Sequence, residues 1–344
     1  MRVFVFVNDL QEIGFRQTTA LLIASLHRQG HEVFLANVSG LSVSGCCTSG
    51  QPKSSREEQN SNPTFLAMSI RLKLNSTGVT SQHVANFACQ TQDSHFAVVE
   101  ITSQDLIFIR TNPGRDLANR NQHEIFLEVC QVASYSGIRV INDPAKLNFF
   151  ASKAAVLLMP GEYRPEMLVT QNLESVLRFV KNANRPCVVK PLLGSRGEDV
   201  IRLDGSANSE RELSHFKDRS IVVQHFVDSD EPGDKRVVVF GGKILEHEGH
   251  LAGIHRVPAE GDFRANLHAG GSAKPLSLSK DQRLAISTAV SILQDAGIYL
   301  AGVDLIGTKV IEFNVFSTGG LYDANQFSNL DFSDMVVAEL FGPR

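Results

Sequence analysis

The chain has 344 residues, 42% of them hydrophobic and 20% charged, and its net charge of −4 disfavours a nucleic-acid-binding role. The apolar run at residues 1–7 is too short for a signal sequence or a membrane span. The five cysteines show neither zinc-ligand spacing nor a disulfide pattern. These features predict a cytoplasmic globular protein of about two or three packed units that binds neither nucleic acid nor membrane.

In the first 141 residues, buried apolar runs alternate with helical spacing, which predicts a parallel α/β domain. No glycine fingerprint follows the first strand, so a dinucleotide site is not predicted there. Residues 39–63 are rich in Ser, Gly, Gln and Asn, include Cys46 and Cys47, and predict a surface excursion. The expected elements are strands at Arg2–Val7, His31–Ala36, Gln104–Arg110 and Ile138–Ile141, and helices at Phe15–Gln29 and Glu124–Ser136.

Beyond residue 142 the patterns predict further strands and helices, including a tight hairpin turn at Gly241-Gly242. A long helix is expected to begin after a Ser279 N-cap and to end at Gly297. The expected helices are Lys146–Leu158, Leu173–Asn182, Ser279–Gly297 and about Asp331–Phe341, and the strands are Met167–Thr170, Cys187–Lys190, Ile221–Phe226 and a run opening at Asp234.

One predicted strand delivers a lysine to a glycine-containing loop. Lys190 ends an apolar run, and the loop Gly194–Gly197 follows three residues later. Backbone amides in such a loop can cradle a phosphate, and a lysine supplies a point charge. The order differs from that of a P-loop, and a lysine at a strand end is more often solvated, so the stretch alone leaves both interpretations open.

The segment Gly302–Val315 predicts a hairpin whose apolar runs are interrupted by Asp304, Glu312 and Asn314. Glu312 and Asn314 are two residues apart, so on a strand they share a face. Carboxylate and amide oxygens suit a hard cation such as Mg²⁺. The alternative is a half-solvated hairpin whose polar side chains face water.

Whether Asp304 joins that face depends on the turn. A three-residue loop at 307–309 pairs Asp304 with Glu312. A two-residue Gly307-Thr308 turn, which glycine in first position favours, pairs Asp304 with Ile311 and separates the two acids unless a bulge intervenes. Two arginines, Arg256 and Arg264, are predicted in loops nearby, where a guanidinium fork could bind carboxylate or phosphate. Taken singly, each is more often an exposed surface arginine.

These motifs together resemble bacterial glutathione synthetase and the wider ATP-grasp carboxylate–amine ligases. The resemblance is weak over the first 100 residues and close from about 184 to 320. It rests on the order and spacing of Val189-Lys190-Pro191-Leu192, Gly233-Asp234-Lys235-Arg236-Val237, Arg264-Ala265-Asn266-Leu267 with Ala269-Gly270-Gly271, Gly302-Val303-Asp304-Leu305-Ile306-Gly307 and Glu312-Phe313-Asn314-Val315-Phe316-Ser317.

The resemblance implies an ATP-grasp fold of three domains: an N-terminal α/β domain at 1–141, a central lid at 142–226 and a C-terminal domain with the metal site at 227–344. It implies ATP between the last two domains and both hairpin acids on one face. Oligomers are common in the family, so a homo-oligomer is compatible with the resemblance.

The resemblance also assigns site residues. It implies ATP binding by Lys153, Lys190, Gly194, Ser195, Gly197, Gln224, His225, Phe226, Val227 and Asp234. It implies that Asp304, Glu312 and Asn314 hold Mg²⁺, with two ions expected and Mn²⁺ as the alternative. It implies substrate binding by Arg236, Arg256, Arg264, Asn266, Ser317, Thr318, Gly319 and Gly320, with Arg256, Arg264 and Lys190 stabilising the transferred phosphoryl group.

The implied reaction is ATP-dependent amide formation through an acyl phosphate, with a small-molecule or short-peptide carboxylate and an amine as substrates. The first expectation is γ-glutamylcysteine plus glycine. Two alternatives remain at this point: a ligase of the same mechanism acting on other amino acids or peptides, and an ATP-binding module without catalysis.

Overall fold

The computed structural model of the protein describes residues 1–45, 63–74, 78–194, 199–206, 209–262, 264–265 and 270–342. The chain divides into two compact units, Met1–Ala145 with Ser333–Arg344, and Lys146–Phe332. Most of the predicted lid and C-terminal segments therefore fall in the second unit, and the division into three domains stays a prediction. No helix in the described ranges is long and apolar enough to cross a membrane.

The first unit is built on a sheet whose central strands have apolar, buried interiors. Its elements are β1 (Arg2–Val7), α1 (Thr18–Arg28), β2 (Glu32–Asn37), β3 (Leu41–Ser44), β4 (Thr64–Arg71), α2 (Ser81–Cys89), β5 (Ala97–Ile101), β6 (Leu106–Ile109), α3 (Arg120–Tyr135), β7 (Arg139–Ile141) and the start of α4 (Pro144–Ala151). The strand order is β3-β4-β2-β1-β6-β7, with β5 on β4, and β2, β1, β6 and β7 are parallel. The predicted parallel α/β core is confirmed.

Residues 39–63, predicted as a surface excursion, begin with the short and largely exposed strand β3. β3 pairs antiparallel with β4, which in turn pairs antiparallel with β2 and β5. Along β3 only Leu41 is buried, so the strand is held by backbone pairing at the sheet edge and its sequence lacks a buried apolar run. Cys46 and Cys47 lie outside the described residues.

The second unit begins with a four-stranded antiparallel sheet. After α4, a 3-10 helix at Lys153–Leu158 replaces the predicted continuation of that helix, because the Ser152 side chain caps it by accepting from Ala154 N. The next elements are β8 (Met167–Thr170), α5 (Leu173–Asn182), β9 (Cys187–Pro191), β10 (Ile201–Leu203), α6 (Ser209–Leu213) and β11 (Ile221–His225). The order β10-β9-β11-β8 places Lys190 on a central strand.

A second antiparallel sheet follows, in the order β17-β16-β12-β18-β19 with β13 on β12. Helix α7 begins with a capping box in which Ser279 and Gln282 bond reciprocally, as the N-cap prediction requires. The elements are β12 (Asp234–Phe240), β13 (Lys243–Ile244), β14 (Glu246–His247), β15 (His250–Leu251), β16 (Gly253–Val257), β17 (Ser272–Lys274), α7 (Lys280–Asp295), β18 (Leu300–Ile306), β19 (Lys309–Asn314) and α8 (Leu321–Ser328). The last helix, α9 (Phe332–Phe341), groups with the first unit from Ser333.

Candidate active site

The hairpin β18–β19 combines a two-residue turn with a bulge. Ile306 pairs with Lys309, so the turn is Gly307-Thr308, and Gly307 has φ +54°, a left-handed value that suits glycine in first position. The three-residue alternative is therefore wrong. The register then shifts after Asp304, which pairs with Glu312. The bulge restores the parity that the short turn would break, and both acids share one face.

The Asp304 carboxylate is buried, with 1% of the residue exposed, and it lies between two arginines. Arg236 faces it across β12 and β18 and binds it through two parallel bonds, Nε to Oδ1 at 2.7 Å and Nη2 to Oδ2 at 2.6 Å. Arg256 Nη2 donates to Oδ2 at 2.8 Å, and Asn314 Nδ2 donates to the same oxygen at 3.1 Å. The strand register therefore explains why these side chains meet.

Arg256 is not in a loop, as its sequence context predicted, but on β16 opposite Asp234. Its Nε donates to Asp234 Oδ1 at 2.9 Å, and its Nη2 also contacts Asp234. Asp234, Arg256 and Asp304 are each at least nine-tenths buried. With Arg236 they form a cluster of two acids and two guanidiniums whose formal charges cancel. Such balance is what allows charges to be buried within a sheet.

Mutual attraction outweighs burial at Asp304 and Arg256, whereas at Asp234 burial prevails and raises the pKa of the carboxyl. Burial alone would raise the pKa of Asp304, but Arg236 and Arg256 hold that pKa below its usual range. Burial alone would lower the pKa of Arg256, but Asp304 and Asp234 raise it above its ordinary value. Asp304 and Arg256 therefore stay charged at neutral pH.

Two lysines approach strand β19 of the hairpin. Lys190 Nζ lies 3.4 Å from the carbonyl of Ile311, the residue that the bulge leaves without a strand partner. Lys153 Nζ donates to the Gly194 carbonyl at 3.1 Å and lies 3.9 Å from Glu312 Oε1. Burial lowers the pKa of Lys190 to about 8, a change that Glu312 opposes and Lys153 reinforces. Two ammonium groups beside one carboxylate leave a surplus positive charge that suits a phosphate.

The hairpin residues fit a divalent cation by their chemistry. Asp304 and Glu312 are directly opposite on adjacent strands, and Asn314 contacts Asp304, so two carboxylates and one amide are close together. In the described part of the chain there is no group of three or more His, Cys, Asp or Glu side chains suited to a metal. A site here would therefore be of the Mg²⁺ type, in which one or two carboxylates act with substrate phosphates.

The predicted adenine hinge, Gln224–Val227, ends strand β11. The His225 and Phe226 amides donate to the carbonyls of Glu166 and Pro186, both at 2.9 Å. Beside this hinge lies Arg202, which was not among the predicted site residues and whose guanidinium is 4.3 Å from the Phe226 ring centroid. The available signal was the Ile201-Arg202-Leu203 alternation, which puts the arginine on the opposite face from its apolar neighbours.

The remaining predicted residues are dispersed or undescribed. Arg264 pairs with Asp262, two residues away, through Nη2 to Oδ2 at 2.9 Å, and its side chain is 39% exposed. The segment Ser317–Gly320 leads into α8, and its Thr318 is buried. Ser195, Gly197 and Asn266 lie outside the described residues.

Comparison with known families identifies the second unit. Residues 153–329 match the family model "Prokaryotic glutathione synthetase, ATP-grasp domain", which is more than half of the 344-residue chain. The chain belongs to this family. It is therefore an ATP-dependent ligase of the carboxylate–amine type, as the resemblance implied. A glutathione synthetase of Prochlorococcus marinus subsp. pastoris is 29% identical over 214 residues, covering 61% of this chain and 67% of the relative.

Solved structures show the same fold along nearly the whole chain. D-cycloserine synthetase DcsG gives a TM-score of 0.58 at 16% identity and covers 98% of this chain and 99% of that chain. The ATP-grasp ligase PsnB, in a complex with a precursor variant, Mg and ADP, gives a TM-score of 0.57 at 16% identity and covers 98% of both chains. The predicted ATP-grasp fold is confirmed.

Proposed function

We propose that the protein is a glutathione synthetase that joins the cysteinyl carboxylate of γ-glutamylcysteine to the amine of glycine. ATP is converted to ADP and phosphate in the same reaction. The family match and the relative named glutathione synthetase support this choice of substrates. The proposal thus names a substrate pair within the ligase class.

The observation that carries the proposal is the position of the hairpin acids. Asp304 and Glu312 share one face, with Lys153 near Glu312 and Lys190 at the bulge, and with Arg236 beside Asp304. Lysines suit the phosphates of ATP, and guanidinium forks suit a carboxylate. Lysines that suit phosphate and a guanidinium that suits a carboxylate thus lie around one hairpin, an arrangement that fits phosphoryl transfer from ATP to an acid.

A free carboxylate is a poor acyl donor, so the reaction needs activation. One carboxylate oxygen attacks the γ-phosphorus, the bond to ADP breaks, and an acyl phosphate forms. The amine then attacks the carbonyl carbon and loses a proton, and phosphate leaves with the carboxylate oxygen. Negative charge grows on the phosphoryl oxygens, and Lys190, Arg256 and Arg264 are assigned to stabilise it.

Binding roles follow from the same assignment. Asp304, Glu312 and Asn314 would hold Mg²⁺, two ions being proposed, and the bound cation would neutralise charge on the ATP phosphates. Lys153 and Gly194 would contact phosphate, the hinge Gln224–Val227 would contact adenine, and Asp234 would lie near the ribose. The substrate roles of Ser317–Gly320 and Asn266, and the ATP roles of Ser195 and Gly197, rest on the resemblance.

The test is ADP release by the purified chain with ATP and Mg²⁺. The reactions contain no further addition, γ-glutamylcysteine, glycine, both together, or a panel of other acids and amines. The proposal predicts turnover that needs both γ-glutamylcysteine and glycine and that is absent from an Asp304→Ala, Glu312→Ala double variant. Turnover only with another pair would contradict the proposed substrates.

A matched control shows whether such losses are specific. Arg283 and Glu246 form a two-bond ion pair, at 2.7 and 3.1 Å, that includes none of the proposed site residues. An Arg283→Gln variant removes this pair and is expected to keep the wild-type rate of ADP release.

A further inference from the structure

The Asp304 carboxylate receives more donors than one arginine supplies. Oδ2 accepts from Arg236 at 2.6 Å, Arg256 at 2.8 Å and Asn314 at 3.1 Å, whereas Oδ1 accepts from Arg236 at 2.7 Å. Each carboxylate oxygen offers about two lone-pair positions. A cation that binds Asp304 therefore competes with the hydrogen-bond donors already on the carboxylate. Among the described residues, the donor that it would displace from Oδ1 is Arg236.

The two arginines differ in what else holds them. Arg256 is bound by two acids, because Asp234 also accepts from its Nε at 2.9 Å. For Arg236, every side-chain hydrogen bond found among the described residues goes to Asp304. If Asp304 turns to a cation, Arg256 keeps its Asp234 partner and Arg236 loses the acid that neutralises it. Arg236 is therefore the guanidinium that needs a second anion.

The surroundings of Arg236 indicate where that anion would lie. Its stem runs beside two glycines: a Cβ on Gly302 would lie 3.4 Å from Arg236 Cδ, and a Cβ on Gly320 would lie 3.8 Å from it. A Cβ on Gly302 would also collide with Thr318 Oγ1. The absence of side chains at these two positions leaves the arginine next to the segment Ser317–Gly320, which is proposed to bind substrate.

We propose that Arg236 is exchanged between two carboxylates. It pairs with Asp304, and when a divalent cation binds Asp304 it turns to the carboxylate of the acidic substrate. The inference rests on the proposed function, since it assumes a cation and an acid at this site. Exchange makes cation and acid binding cooperative, and by linkage each strengthens the other by the same factor.

The first test measures cation binding without turnover. Mn²⁺ serves as the probe, and the free ion is quantified by electron paramagnetic resonance with the full chain and ADP, in the absence of acid and amine. Arg236→Gln removes the competing guanidinium and should tighten Mn²⁺ binding by about tenfold. Arg236→Lys keeps the charge without the fork and should give a smaller increase. Arg283→Gln, which breaks a comparable pair with Glu246, should leave Mn²⁺ affinity unchanged.

The second test separates exchange from simple charge repulsion. The affinity for γ-glutamylcysteine is measured by calorimetry with ADP, with and without Mn²⁺, in the wild type and in Arg236→Gln. In the wild type, Mn²⁺ should strengthen γ-glutamylcysteine binding by about tenfold or more, and Arg236→Gln should abolish that increase. A general repulsion would raise Mn²⁺ affinity in the variant but leave the increase intact.

The exchange is overturned if Arg236→Gln binds Mn²⁺ no more tightly than the wild type, or if it retains the full increase in γ-glutamylcysteine affinity. Failure of the proposed function looks different. A wild-type chain that binds Mn²⁺ but not γ-glutamylcysteine contradicts the proposed substrate, and the Mn²⁺ measurement on the variants still decides whether Arg236 competes for Asp304.

Discussion

Two sheets of the molecule bury different kinds of side chain in their central strands. One is the sheet of the first unit, and the other is the sheet of the second unit that contains β12, β16 and β18. Val3–Phe6 and Leu106–Ile109 are apolar and at most 2% exposed. By contrast, β12, β16 and β18 bury Asp234, Arg256 and Asp304. Apolar residues would serve the sheet as well or better, because a buried ion pair adds little net stability. The contrast supports the proposal that these charges serve binding and chemistry more than folding.

The largest expected effect is that of Asp304→Asn. The substitution leaves the buried Arg256 and the partly buried Arg236 without their shared anion, and breaking a buried pair in this way costs about 3–5 kcal/mol. Loss of the cation ligand should also reduce ADP release by more than about a thousandfold. Urea unfolding measures the first quantity and a coupled ADP assay the second. A variant that unfolds like the wild type and keeps its activity would contradict the role assigned to this cluster.

A buried acid in the first unit provides the matched comparison. Asp105 is 3% exposed and accepts from Arg2 Nε at 2.8 Å, so it has the same pairing chemistry outside the second unit. Asp105→Asn should reduce stability by about 1–3 kcal/mol and leave ADP release per folded molecule unchanged. A comparable catalytic loss in Asp105→Asn would remove the distinction between the two sheets.

Lys190→Met should weaken ATP binding without lowering the free energy of unfolding. The lysine is 7% exposed, so replacing its ammonium with an apolar group of similar length removes a desolvation penalty and should maintain or raise the free energy of unfolding. ATP affinity should fall by about tenfold to a hundredfold, because a charged contact to phosphate is lost. Calorimetry with ATP and urea unfolding test both parts, and unchanged ATP affinity would exclude Lys190 from the phosphate site.

The pH dependence of the wild type should report the same lysine. Burial, reinforced by the charge of Lys153, lowers the pKa of Lys190 to about 8. The carboxylates of Glu312, Asp304 and Asp234 act in the opposite direction and favour the charged lysine. ATP affinity of the free protein should therefore decline by several-fold as pH rises through 8. The unfolded chain keeps this proton up to about pH 10.5, so Lys190 makes stability rise between pH 8 and 10.5. Lys190→Met should lose both dependences; if it keeps them, another group titrates.

The smallest effect is expected at the exposed pair of Arg283 and Glu246. Their side chains are 41% and 34% exposed, and such pairs contribute about 0–1 kcal/mol. Arg283→Gln should therefore unfold within about 1 kcal/mol of the wild type. A loss as large as that of Asp304→Asn would show that burial does not explain the difference between the two pairs.

The sequence predicted element types well where apolar periodicity was strong, and the residue types of the hairpin were enough to propose a set of cation ligands. It left the register of Asp304 open, because a short Gly307-Thr308 turn and a bulge at Ile311 have opposite effects on parity, and local propensity does not reveal a bulge. Arg256 was placed in a loop because its pairing with Asp234 is a long-range contact. Arg202 was missed for the same reason, since its partner Phe226 is remote in sequence.

The most direct test of the central claim follows oxygen from the acid. γ-Glutamylcysteine labelled with ¹⁸O in its cysteinyl carboxylate is incubated with glycine, ATP, Mg²⁺ and the protein, and the released phosphate is analysed by mass spectrometry. Activation through an acyl phosphate predicts that each phosphate carries one labelled oxygen. Product formation with unlabelled phosphate would contradict phosphoryl transfer to the acid and, with it, the function assigned to the hairpin cluster.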